Sequence, residues 1–247
     1  GAISYTWINT NNGFVSNSST VSITNVTSNN AGNYYYFATG SNGCIRKDTI
    51  NVIVNPNPNS VISSTNVSCN GFADGSALAT PTIGTSPYFY LWDNGATSAL
   101  INNLPPGTYT VRVTDANNCI AFAITTITEP SPITSTVFTK DLDCYNIPTG
   151  SATVQASGGV GSYSYTWFPG SYTGSVVTNI PAGNYNVQIK DANNCISTQT
   201  LSINQPSPIS STVVTKDLIC NNIPTGSATV TANGGIGPYT YSWVPIG

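Results

Sequence analysis

The chain has 247 residues, with nine Asp or Glu against six Lys or Arg, and neither His nor Met. Charged side chains make up 6% of it, against about 25% in an average soluble protein, so Ser, Thr and Asn must carry its solubility. No basic stripe exists to neutralise nucleic-acid phosphates, histidine-based general bases and nucleophile dyads are excluded, and no apolar run approaches the ~18–20 residues of a membrane span. With no Met at position 1 and no secretory signal, the sequence is expected to be a piece of a longer or processed chain.

Taken in order, residues 1–55 read as the closing two-thirds of a β module. Trp7 lies in an alternating strand, a long hairpin follows, and Ala31-Gly32-Asn33-Tyr34 opens a second strand. The segment closes on Gly40-Ser41-Asn42-Gly43-Cys44. Residues 56–130 and 131–206 are complete modules, and 207–247 repeat the opening of the second almost word for word. Trp92, Trp167 and Trp243 stand 75 and then 76 residues apart, as do Cys44, Cys119 and Cys195, and Cys69, Cys144 and Cys220. A fixed period of this size marks tandem units.

Alternation in the second complete copy predicts strands at 134–139, 150–156, 162–167, 176–180, 184–190 and 196–203, separated by Gly, Pro and Asn-Asn. No segment shows helical periodicity. Short strands, about seven to a module with regular turn signals, predict an all-β chain of immunoglobulin-like Greek-key sandwiches. Proline-bearing linkers such as Glu129-Pro130-Ser131-Pro132 predict an extended string. Trp7, Trp92, Trp167 and Trp243 are expected in the cores. Tyr34, Tyr109 and Tyr185, each two residues after a Gly, have the look of tyrosine corners.

Six cysteines in a loop-rich chain favour disulfides and an oxidising compartment; zinc is disfavoured without His or a CxxC pair. Pairing within each module, Cys69 with Cys119 and Cys144 with Cys195, is preferred, because both partners then fold with one unit. Each bond would contribute roughly 4 kcal/mol by chain entropy. An idealised sandwich can place those positions at opposite ends, so the set Cys44–Cys69, Cys119–Cys144 and Cys195–Cys220 stays open.

The second copy strings together Cys144, Gly150-Ser151-Ala152-Thr153-Val154, Gly158-Gly159-Val160-Gly161-Ser162-Tyr163-Ser164-Tyr165-Thr166-Trp167, Pro181-Ala182-Gly183-Asn184-Tyr185, Asp191-Ala192-Asn193-Asn194-Cys195 and Gln205-Pro206. This pattern resembles the SprB-type repeat of large surface adhesins in gliding Bacteroidota. Residues 1–55 are more similar to a generic bacterial Ig-like module. The resemblance implies an extracellular, cell-surface location, export by the type 9 secretion system and a part in gliding motility. The secretion and motility machinery would be engaged through other parts of the parent chain.

Chemistry finds few candidates. Asp115 and Asp191 recur in register and are read as turn caps before Asn-Asn. Structural calcium wants six to eight oxygens, and each junction offers about one carboxylate, as at Glu129; no cofactor is expected. Lys140-Asp141 and Lys216-Asp217 read as surface ion pairs. Asp48-Thr49-Ile50 resembles a Bacteroidota O-glycosylation motif, which makes Thr49 a candidate acceptor. The function expected is a non-enzymatic repeat segment giving reach and multivalent attachment to external surfaces or glycans. Two alternatives stand beside it. One is an array of carbohydrate-binding modules of a secreted enzyme, with Phe72, Tyr145 and Tyr172 as stacking platforms. The other is a purely structural spacer.

Overall fold

The computed structural model describes residues 1–220 and 223–244. Its regular elements are strands, apart from one 3-10 turn at Ser28–Asn30. The chain divides into two compact units, Gly1–Val67 with Ala73–Thr128, and Ser68–Phe72 with Glu129–Gly247.

In the first unit, β1 (Ala2–Asn9), β2 (Phe14–Ser16), β3 (Gly32–Gly40) and β4 (Ile45–Val52) form one antiparallel sheet in the order β2-β1-β3-β4. The complete module that follows has β5 (Asn59–Thr65), β6 (Gly75–Ile83), β7 (Phe89–Trp92), β8 (Leu100–Leu104), β9 (Gly107–Thr114) and β10 (Ile120–Ile127). Its sheets are β5-β6-β8 and β10-β9-β7.

The second unit repeats that plan. β11 (Thr134–Lys140), β12 (Gly150–Ser157) and β14 (Val176–Ile180) make one sheet. β13 (Ser164–Phe168), β15 (Gly183–Lys190) and β16 (Ile196–Ile203) make the other. Each link from the second to the fifth strand crosses between sheets, which gives the Greek-key order. A module therefore has six strands, one fewer than an immunoglobulin constant-type domain. Last come β17 (Ser210–Lys216) and β18 (Ser227–Asn233), a two-stranded sheet.

Alternation places every second side chain inside. On β15 that leaves Tyr185, Val187 and Ile189 buried between more exposed neighbours. The two complete modules bury the same ten positions. Val67, Ala77, Ala79, Trp92, Ile101, Leu104, Tyr109, Val111, Val113 and Ile127 form one core. Leu142, Ala152, Val154, Trp167, Val177, Ile180, Tyr185, Val187, Ile189 and Ile203 form the other. The register steps from 75 to 76 between Trp92 and Ile101, so the single inserted residue sits in the loop that follows the Trp strand. Gly75 and Gly150 open the second strands because nothing larger fits. A Cβ on Gly150 would meet Ile203 Cγ2 at 2.7 Å and the Ile180 carbonyl at 2.9 Å.

Two expectations are corrected here. Trp243 is 62% exposed. Among the described residues of its copy the strands are β17 and β18, and they leave the indole largely open. The intramodular disulfides are absent as well. The Val67 amide donates to the Thr128 carbonyl, which ties the chain before Cys69 to the C-terminal end of β10. Cys119 precedes the first residue of that eight-residue strand, which at ~3.3 Å per residue is on the order of 25 Å away. The two residues from Val67 to Cys69 cannot span it. In the second copy Leu142 donates to Asn204 just past the end of β16, while Cys195 precedes its start, so Cys144 and Cys195 are held apart in the same way.

Candidate functional site

The repeated chemistry of this chain lies in two loops per module, set on a core that the Trp and Tyr residues fix. Trp92 and Trp167 are fully buried. Their indole N–H groups donate to Ser98 O and Gly174 O at 2.9 Å, and the half-buried Trp7 donates to Ser18 O at 3.0 Å. A buried indole needs such an acceptor, and the loop after each Trp strand supplies it. Tyr109, Tyr185 and Tyr34 are buried, and each hydroxyl donates to the carbonyl four residues earlier: Pro105 and Pro181 at 2.9 Å, Asn30 at 3.0 Å. In the two complete modules those bonds close the corner between the sheets. Burial raises the phenol pKa of Tyr109 and Tyr185, with Asp93 and Tyr172 respectively adding to the rise.

The turn before the last strand is built on an aspartate. Asp191 Oδ1 accepts from the Asn193 and Cys195 amides at 2.9 Å, and its Oδ2 accepts from Val160 at 2.9 Å. Asp115 does the same with Asn117, Cys119 and Thr85. Desolvation pushes the Asp115 carboxyl up, but the amide bonds from Thr85, Cys119 and Asn117 and a bond from the Cys119 side chain outweigh it, leaving the pKa below the usual value. Asn118 and Asn194 take positive φ, at 60° and 67°. In residues 1–55 Gly43 takes that role at 78°, and Asn42 Oδ1 accepts from Cys44 N at 3.2 Å in place of the carboxylate. Gly40, Asp115 and Asp191 all donate their amides to the carbonyl of the cysteine four residues on.

The loop after the first strand is the other repeated piece. Phe72, Ile147 and Ile223 donate their amides to Cys69, Cys144 and Cys220 respectively. Glu129 Oε2 accepts from Gly71 N at 2.6 Å, and Gln205 Oε1 accepts from Asn146 N at 3.0 Å. The closing Glu-Pro or Gln-Pro thus ties the end of each module to this loop. Asp141 accepts from Asn204 N at 2.8 Å. The expected Lys140–Asp141 ion pair is replaced by Lys140 with Asp143 at 2.8 Å, because the backbone of the module end claims Asp141. The Lys140 hydrogen bond is the main reason the Asp143 carboxyl sits below its usual pKa; desolvation opposes it, and the Lys140 charge and Thr149 hydroxyl add to the lowering.

The disulfide joins one loop of each kind. Cys69 bonds Cys195, with Cα atoms 5.6 Å apart and 126 residues between them in sequence. Asn193 Nδ2 donates to Ser68 O beside it at 2.9 Å. Cys44, Cys119, Cys144 and Cys220 are free thiols. Residue-by-residue reading missed this pair because its two cysteines belong to different repeats. The signal lay in the two cysteine series sharing one period.

Among the other candidates, Thr49 is exposed on β4, with its amide bonded to Asp48 Oδ1 at 2.9 Å. Phe72 and Tyr145 are exposed. Tyr172 is not a free platform: it packs on the second core, edge-on to Tyr185 at 6.4 Å. Among the described residues no group of three or more His, Cys, Asp or Glu is placed to hold a metal ion. No helix among them is long and apolar enough to cross a membrane.

A family model described as SprB repeat matches residues 61–97, 136–171 and 212–246. No curated protein matches the chain. Among solved structures, the N-terminal eight Ig domains of Down Syndrome Cell Adhesion Molecule isoform 1.30.30 align at 15% identity and a TM-score of 0.43, over 83% of this chain and 33% of that one. An amphioxus IgVJ-C2 molecule aligns at 15% identity and a TM-score of 0.27, over 62% of this chain and 100% of its own. The chain thus spans about a third of the first of these. The three matched segments are similar to the SprB repeat, and each begins in the first strand of a copy and ends shortly after its Trp.

Proposed function

We propose that this chain is a non-enzymatic tandem segment that gives an exported surface protein its reach and its multivalent grip on external surfaces or glycans. Export by the type 9 secretion system and a part in gliding are the finer portion of this reading, and they rest on the repeat family.

The observation that carries it is the ten-position core held in register from one complete copy to the next while the outward faces diverge. Phe89, Leu91, Phe122 and Ile124 are exposed on the β7-β9-β10 sheet of one copy. Their counterparts in the next are Ser164, Thr166, Thr198 and Thr200. A unit retained for its packing and free to vary outside is suited to number and length. Linked weak contacts can exceed a single contact by about 10²–10⁴ without any new bond type.

The test is bead attachment to a biotic or glycan-coated surface, comparing the chain with a version in which residues 56–206 are duplicated. Multivalent grip predicts that dwell time rises at least ~10-fold with the added copies. An unchanged dwell time would leave the repeats as spacers, and strong attachment by a single copy would point to a dedicated ligand site.

A further inference from the structure

The two cysteine series occupy two fixed structural places. Cys69, Cys144 and Cys220 sit in the loop after a first strand, and in all three the carbonyl accepts the amide three residues on. Cys44, Cys119 and Cys195 sit in the turn before a last strand, each with its carbonyl accepting the amide four residues back. The one disulfide joins a loop cysteine to the turn cysteine of the following repeat. Both places hold the same backbone geometry where no bond is formed. Gly71 and Asn146 share positive φ, 77° and 55°, two residues after their cysteines, and both amides are held by the module-closing Glu129 or Gln205. Around Cys119 and Cys195 the aspartate-centred turns match bond for bond. Cys144 and Cys119 are therefore shaped as Cys69 and Cys195 are, and both keep solvent access.

We propose that a disulfide ladder runs through arrays of this repeat, in which the loop cysteine of each copy bonds the turn cysteine of the next. By that rule the partners of Cys44, Cys119, Cys144 and Cys220 fall outside residues 1–247, and these are the four free thiols of this chain. The ligand of Cys144 is the thiol of a turn cysteine in a following complete copy; that of Cys119 is a loop cysteine in a preceding one. Each rung forms by thiol–disulfide exchange with an oxidised dithiol oxidoreductase or another small disulfide. Two thiols lose two protons and two electrons, one S–S bond forms, and the donor's S–S bond is reduced to two thiols. The junction also has a non-covalent half. Asn193 Nδ2 donates to Ser68 O beside the rung, whereas its counterpart Asn117 turns instead to Thr85 Oγ1 at 2.8 Å. The ladder rests on tandem repetition and is independent of what the repeats adhere to.

The test is peptide mapping after thiol alkylation without reductant. In the chain as it stands, the Cys69 and Cys195 peptides should be cross-linked and the other four cysteines alkylated. Cross-links Cys69–Cys119, Cys144–Cys195, or any pair 25 residues apart would overturn the rule. Cys69→Ser should leave Cys195 alkylated, and a new Cys144–Cys195 bond would contradict the spatial separation argued above. Continuing the chain past Gly247 with the 172–206 sequence, which completes the last copy in register, should convert Cys144 from alkylated to cross-linked with the added turn cysteine. Cys144 remaining alkylated in that chain would sink the proposal.

Discussion

Replacing Trp167 by Ala should weaken the second core far more than the same change at Trp243, although the two share one repeat position. Trp167 is fully enclosed and donates its N–H to Gly174 O. A buried Trp removes roughly 200 Å² from water, and at ~25 cal/mol per Å² that is about 5 kcal/mol. Core Trp truncations cost about 3–5 kcal/mol. Trp243, 62% exposed, has little more than a third of that area to lose, at most about 2 kcal/mol. Hydrogen exchange resolves the two by segment, since protection on β15 reports the second core and protection on β18 the copy that holds Trp243. At ~1.4 kcal/mol per tenfold, Trp167→Ala should cut protection on β15 by roughly two to three and a half orders of magnitude. β9, in the other core, serves as the unchanged control. Equal losses from Trp167→Ala and Trp243→Ala would refute the reasoning, as would a β15 segment that keeps its protection.

Three other outcomes follow from the geometry. Tyr185→Phe leaves the Pro181 carbonyl without its partner and should cost about 1–2 kcal/mol in denaturant unfolding of the second copy. Gly150→Ala pushes a methyl against Ile203 and the Ile180 carbonyl and should cost about 1–3 kcal/mol by the same measurement. Asp115 has a depressed pKa in the folded state, so the unfolded chain binds the proton first as pH falls. Its stabilisation is therefore complete above the ordinary carboxyl value of about 3.9 and is lost as pH drops through the lower folded value. An acid titration of exchange protection on β9 should show this fall below about pH 4, and Asp115→Asn should flatten it.

Much of the fold was legible because it is local. In residues 131–206 the strands read from alternation lie within two residues of those observed, since a period of two is written side chain by side chain. The tandem register was equally open, as Trp and Cys are rare enough for their spacing to be read directly. What stayed hidden was relational. The Cys69–Cys195 bond depends on which loop lies beside which turn, and no run of neighbouring residues encodes that. Trp243 sits in the same motif as Trp167, yet a motif cannot bury its own Trp without the strands that cover it. Lys140 and Asp141 are adjacent, but Asn204, 63 residues on, takes the carboxylate.

The most direct test of a surface-borne repeat segment is labelling of intact producing cells with an antibody raised against this chain, before and after brief external proteolysis. The account predicts strong labelling without permeabilisation and its loss on shaving, with repeat-sized fragments released to the medium. Labelling that needs permeabilised cells and survives the protease would contradict it.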